Sequence, residues 1–104
     1  IVQALLAEGA EVDVQSKGGQ TALMVAAGTG HTEIVQALLT EGAEVDVQSK
    51  GGQTALMVAA GTGHTEIVQA LLAKGAKVDV QNKDGETALI RAVGMGHKVI
   101  VQAL

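Results

Sequence analysis

Apolar and polar positions along this chain recur with a period of 33 residues. In one period, Ala22-Leu23-Met24-Val25-Ala26-Ala27 is a short apolar run closed by Gly28-Thr29-Gly30. Leu23, Ala26 and Ala27 fall at i, i+3, i+4 spacing, which predicts a helix of about two turns near residues 22–28. Thr21 stands where a side-chain oxygen can accept the first free N–H groups, and the glycines supply the stop. A second helix is predicted over residues 32–41. Ile34, Val35, Leu38 and Leu39 form its apolar stripe, Gln36 and Thr40 point toward water, and Glu33 lies in the first turn, where the helix dipole favours an anion. Gly42 ends it. From Ala43 to Gln53, Val45 and Val47 alternate with polar residues before Ser49-Lys50-Gly51-Gly52, the pattern of an extended arm and a tight turn. Neither helix is long enough to persist alone, so each must be held by its neighbours.

The stretch from Gly19 to Leu39 returns unchanged from Gly52 to Leu72, and edited from Gly85 to Leu104. Residues 1–33 and 34–66 agree at 32 of 33 positions, and 34–66 and 67–99 at 21 of 33. Near-identity of two copies reflects recent duplication or deliberate design, which the sequence does not separate. The unit is helix, turn, helix, hairpin-like loop, and the expected fold class is an all-α repeat solenoid of stacked units. The expected organisation is a single array, with residues 1–14 ending a preceding repeat, full repeats at 15–47 and 48–80, and a truncated repeat at 81–104. Ile1–Ala7 and Ile100–Leu104 read as parts of second helices, so the 104 residues are expected to be an excerpt of a longer array or to stack end to end.

Composition supports a stacked body over a spherical one. Phe, Tyr and Trp are all absent, so the interior must be built of aliphatic side chains that fill thin layers between closely packed helices. Cysteine is absent as well, which excludes disulfides and thiolate chemistry and is consistent with a cytoplasmic, intracellular setting. No apolar run approaches a membrane span. The net charge of −4 is unevenly spread, with −6 over residues 1–47 and +2 over residues 48–104. Such asymmetry can orient a charged partner or favour head-to-tail association, but it is far from a nucleic-acid footprint.

Candidate chemistry dissolves into the repeat. His31, His64 and His97 recur at the period, yet repeats stack about 10 Å apart while zinc sits about 2 Å from each ligand nitrogen. A structural place at the start of the second helix accounts for them. Gly28-x-Gly30 lacks the third glycine and the strand of a dinucleotide fold, and Ser16-Lys17-Gly18-Gly19-Gln20-Thr21 carries its lysine on the wrong side of the glycines for a phosphate loop. Glu8, Glu11, Asp13, Glu41, Glu44 and Asp46 read as a solvated acidic rim, with a calcium-like or basic-partner site as the alternative. No nucleophile, base and orienting group converge, so no enzyme, cofactor or metal is expected within the segment.

The pattern Gly-x-Thr-Ala-Leu-Met-x-Ala-Ala-x-x-Gly-His-x-Glu-Ile-Val-x-x-Leu-Leu-x-x-Gly-Ala-x-Val-Asp resembles the ankyrin repeat, whose period is 33 and whose first helix opens with Thr-Pro-Leu-His. The likeness covers essentially the whole chain. Ala22, Ala55 and Ala88 stand where that motif has proline, and Met24, Met57 and Ile90 where it has histidine. The resemblance implies that the missing histidine would form a polar clasp, bonding locally and toward the next repeat.

The resemblance further implies a protein-binding module, in which a concave surface of loop tips and first helices meets a folded partner. Carried over position by position, that surface comprises Lys17, Gly18, Gln20, Val25, Gly28 and Thr29, then Lys50, Gly51, Gln53, Val58, Gly61 and Thr62. In the third repeat the matching positions are Lys83, Asp84, Glu86, Arg91, Gly94 and Met95. Of the 12 differences between residues 34–66 and 67–99, five fall on or beside this surface: Ser49/Asn82, Gly51/Asp84, Gln53/Glu86, Val58/Arg91 and Thr62/Met95. Adaptation of a binding surface and drift at exposed sites both give that pattern. Only Arg91 belongs to the residue types that anchor interfaces, which makes Arg91 with Met95 the expected energetic centre. The competing readings are a passive spacer or assembly scaffold, associating through uncapped ends, and an accessory array of an enzyme whose catalytic domain lies elsewhere. Neither nucleic acid nor membrane is expected as a partner. Because Met57→His would restore the clasp, it should raise the melting temperature by the equivalent of about 1 kcal/mol, one hydrogen bond's worth; thermal denaturation of the variant beside the parent chain measures it, and an unchanged or lower value would show that the apolar side chain is preferred.

Overall fold

A computed structural model describes residues 12–104 as six short helices, with no strand among the described residues. They are α1 (Ala22–Thr29), α2 (Thr32–Thr40), α3 (Ala55–Thr62), α4 (Thr65–Ala73), α5 (Ala88–Gly94) and α6 (Lys98–Ala103). The expected helix over Ile1–Ala7 and the acidic Glu8 and Glu11 lie outside the described residues.

Each first helix starts on a threonine in extended conformation. The Oγ1 of Thr21, Thr54 and Thr87 accepts from the N–H of Met24, Met57 and Ile90 at 3.3, 3.2 and 3.3 Å. Such caps contribute about 1 kcal/mol apiece, a large share for a helix of two turns. The stops differ from the sequence expectation in one respect: Gly28 and Gly61 lie inside the helices, and Gly30 and Gly63 end them in the left-handed conformation at φ 80° and 83°. Their N–H groups reach back to the carbonyls of Ala26 and Ala59. In the third repeat Met95 takes the cap position and α5 is one residue shorter than α3. The second helices begin at His31, His64 and His97, whose side chains make no capping hydrogen bond.

Helices α1, α3 and α5 form one layer and α2, α4 and α6 a second, each pair in a repeat packing across the layers. The first helices contact one another more extensively than the second helices do. Ala27, Ala59, Ala60 and Ala92 are fully enclosed and allow the close helix approach, while Leu56, Met57, Ile67, Leu71 and Val68 fill the layer between. The stack is elongated, about twice as long as it is thick, at 40 × 26 × 21 Å.

At matching points a glycine lies close against the next repeat. A Cβ on Gly28 would stand 2.9 Å from Val58 Cγ1, and one on Gly61 2.7 Å from Arg91 Nη2. On Gly30 and Gly63 it would stand 2.8 and 2.7 Å from the Cε1 of His64 and His97, so each imidazole lies against the glycine that ends the preceding first helix. That contact is the structural role of the recurrent Gly-His step. At the turns the obstacle is backbone: Gly52 has φ 82° and a Cβ there would meet Asn82 Cα at 2.8 Å. Gly42 has a similar φ of 88° but faces open space. Gly42→Ala should therefore cost only the left-handed strain, about 1–2 kcal/mol, whereas Gly52→Ala should cost clearly more, because the next turn must also retreat; urea denaturation of the two variants compares them directly, and equal losses would remove the close-approach explanation.

Candidate partner-binding surface

The loop tips are built as tight turns tied to one another. Within the turns, Ser16, Ser49 and Asn82 donate their N–H to the carbonyls of Gln20, Gln53 and Glu86 at 2.9, 2.9 and 3.0 Å. Between turns, the N–H of Lys50 donates to Gly18 O and that of Lys83 to Gly51 O, both at 3.0 Å. Glutamine side chains add a second tie: Gln15 Nε2 donates to Gly19 O at 2.8 Å and Gln48 O at 3.3 Å, and Gln48 Nε2 to Gly52 O at 3.0 Å and Gln81 O at 3.1 Å. A row of turns that would be flexible singly is thereby fixed in register.

Two members of the supposed acidic rim belong to this frame instead. Asp13 Oδ1 accepts the N–H of Glu44 at 3.0 Å, and Asp46 Oδ1 that of Lys77 at 2.9 Å, each bridging to the following repeat. Glu41 and Glu44 remain exposed and solvated. The recurrence of Val-Asp-Val was the available signal, since a short carboxylate at the same point of every period can accept an amide that the extended arm leaves free.

The expected surface residues fall into three groups. Lys17, Gln20, Lys50, Lys83, Asp84 and Met95 are exposed. Thr29 and Thr62 are exposed too, but their hydroxyls donate back to the carbonyls of Val25 and Val58 at 2.9 and 2.7 Å. Gln53, Glu86 and Arg91 are half-buried. Val25 is open while Val58 is partly covered; Gly28 lies under Val58 and the buried Gly61 under Arg91, which takes these two glycines off the contact surface.

Three of the third-repeat substitutions form one network. Asn82 is buried, and its Oδ1 accepts from the N–H groups of Asp84 and Glu86, both at 2.9 Å. Its Nδ2 donates to Glu86 Oε1 at 3.0 Å, and the same oxygen lies 3.8 Å from Arg91 Nη1. At the matching points of the earlier turns, Ser16 and Ser49 accept only from the N–H of Gln20 and Gln53. The third turn is therefore stiffer, and it holds Arg91 across Gly61. Read singly in the sequence, Asn82, Glu86 and Arg91 gave no sign of this coupling. Two polar atoms on this side are buried without a hydrogen-bond partner, Gln53 Oε1 and Arg91 Nε.

The Arg91–Glu86 contact is the one ion pair among the described residues, so Lys17, Lys50 and Lys83 have no described carboxylate within 4.0 Å. The end of the stack beyond α5 is apolar: Leu89, Ile90 and Val93 are 43, 50 and 60% exposed, where Leu56, Met57 and Ala60 are covered by the next repeat to 1% or less. Among the described residues no three His, Asp or Glu side chains gather as a metal site, and no helix is long and apolar enough to cross a membrane.

The profile of the family described as Ankyrin repeats (3 copies) matches residues 1–82 and 39–104, and together the two matches cover the chain. No curated protein matches it. The bridging carboxylates yield a separable test: Asp46→Ala should destabilise the chain by about 1 kcal/mol, the worth of one hydrogen bond, and Glu44→Ala by no more than a few tenths, as for a solvated surface residue. Chemical denaturation measures both, and a loss at Glu44 equal to that at Asp46 would return Asp46 to the rim.

Proposed function

Because the chain belongs to the ankyrin-repeat family, whose repeats generally serve as protein–protein interaction modules, we propose that this segment is a non-catalytic binding module that engages a protein partner through the concave side formed by the turns and first helices. The observation that carries the reading is the combination of a fixed frame with a varied rim. Turns are locked in register by bonds between repeats, while the side chains they present differ between the second and third repeats. Loops held by a rigid scaffold lose little entropy on binding, which is the physical reason recognition concentrates there.

On this reading Lys17, Gln20, Thr29, Lys50, Gln53 and Thr62 present the contact surface of the first two repeats, and Lys83, Asp84, Glu86, Arg91 and Met95 that of the third. Met95 supplies exposed apolar area and Arg91 a guanidinium already held in place by Glu86. An anchor fixed before binding surrenders less rotamer freedom than a free one. Catalysis is left to whatever the array is joined to or bound by.

The alternative reading is a passive assembly scaffold, in which the array sets geometry and the turn side is silent. The two are told apart by placing a photo-crosslinking residue at Val25 or Met95 on the concave side, at Gln36 or Gln69 on the second helices, or at Val93 on the end. The module reading expects a partner protein captured from the concave positions and not from the second helices. Copies of the chain captured from Val93 alone would replace it with the scaffold reading. For the partner so captured, Arg91→Ala should weaken binding about tenfold or more, as truncation of a pre-held anchor does; an unchanged affinity would remove Arg91 from the centre.

A further inference from the structure

Lys17, Lys50 and Lys83 stand at the same point of three successive turns, exposed and without an ion-pair partner among the described residues. Resting on the concave-side reading above, we propose that this lysine column binds an acidic segment of a partner protein in the polyproline II conformation, with its carboxylates at every third residue. The match is geometric. Helices packed in a layer lie about 8–10 Å apart, so equivalent turn residues are spaced by about that distance. A polyproline II chain repeats its side-chain direction every three residues and advances about 9.3 Å in doing so. Every third side chain of such a segment therefore points the same way at the spacing of the turns. A β-strand does not satisfy this, since its residues i and i+3 point to opposite faces.

Three further features of the turns agree with it. The backbone under each lysine is fixed by the Lys50 to Gly18 and Lys83 to Gly51 hydrogen bonds, which keep the three stems in register. Beside the first two lysines stand Gly18 and Gly51, where an added Cβ would meet nothing nearer than a serine hydroxyl at 3.9 Å, leaving room on that side for a second chain. The first two turns, residues 15–21 and 48–54, carry no charge other than the lysine, so each is a locally positive point to which an acidic segment is drawn.

The column also has a direction. In the third turn Asp84 and Glu86 replace Gly51 and Gln53, so Lys83 is the weakest of the three points for an anion. Asp84→Gly restores what the first two turns have, and it leaves the Asn82 clasp in place because that clasp bonds the residue 84 amide and not its side chain. Single-stranded nucleic acid is the other polyanion a lysine row could meet. It is disfavoured by the absence of any aromatic side chain on which a base could stack.

The test titrates the whole chain with two labelled peptides of equal composition, one repeating Asp-Pro-Pro and one with its aspartates contiguous and its prolines gathered at the ends. Binding is followed by anisotropy at low and high salt and by amide chemical shifts. The periodic peptide should bind about tenfold tighter at low salt, the sum expected of three exposed ion pairs, with shifts confined to the three turns. K17Q and K50Q should each weaken it about threefold, K83Q less, and D84G should strengthen it. Equal affinity for the two peptides, no binding of either, no effect of the lysine variants, or tighter binding of an oligothymidine would overturn the proposal. Crosslinking from Val25 and Met95 does not involve the lysines, so failure here leaves the module reading standing, and failure there is recognised separately.

Discussion

The approach of one repeat to the next is the constraint from which the rest of this structure follows. None of the described helices exceeds nine residues, and a helix of that length has no stability of its own. What each gains, it gains by lying against its counterpart one period away, and the gain depends on distance. Alanines let the first helices close up, glycines receive Val58, Arg91, His64 and His97, and the turns come near enough for their backbones to bond. The chain satisfies all three with small residues, which is also why it can dispense with aromatic side chains.

Tight stacking divides the sequence into residues that cannot vary and residues that can. Thr21, Thr54 and Thr87 cap, and Gly19 and Gly52 face backbone at about 3 Å, so neither set tolerates much change. The third repeat departs from the second around these points. Its departures are not independent, since Asn82, Glu86 and Arg91 act through one another and Arg91 rests on a glycine of the second repeat. These residues are therefore linked as a group, Asn82 bonding Glu86 and Glu86 lying beside the guanidinium. The unpaired Arg91 Nε and Gln53 Oε1 mark what this arrangement leaves unsatisfied.

Much of the fold was legible in the sequence because period, cap and stop act locally. Thr21 predicted its helix start, and the stripe Ile34, Val35, Leu38, Leu39 predicted the packed side of α2. Contacts made across a period were harder to read. Gly28 carries the composition of a stop, and only the position of Val58 shows that it is a point of contact inside the helix. Asp46 carries the composition of a solvated rim, and only the amide of Lys77, 31 residues away, shows that it is a bridge. The histidines were correctly placed at the head of the second helix, but the glycines that His64 and His97 cover belong to the repeat before. Of the candidate surface, exposure at Lys17, Lys50, Lys83 and Met95 agrees with the positions carried over from the family resemblance; the half-burial of Glu86 and Arg91 goes with their coupling, which no single position encodes.

If bonds between repeats set the frame, the amides that make them should open only when the stack itself comes apart. Native-state hydrogen exchange at Lys50 and Lys83, whose N–H groups donate to Gly18 and Gly51, measures this directly. The account predicts protection at both approaching that of the enclosed α3 amides, with the adjacent Gly51 amide exchanging fast. Exchange at Lys50 and Lys83 as rapid as at Gly51 would mean that the turns move independently and that the rigid rim does not exist.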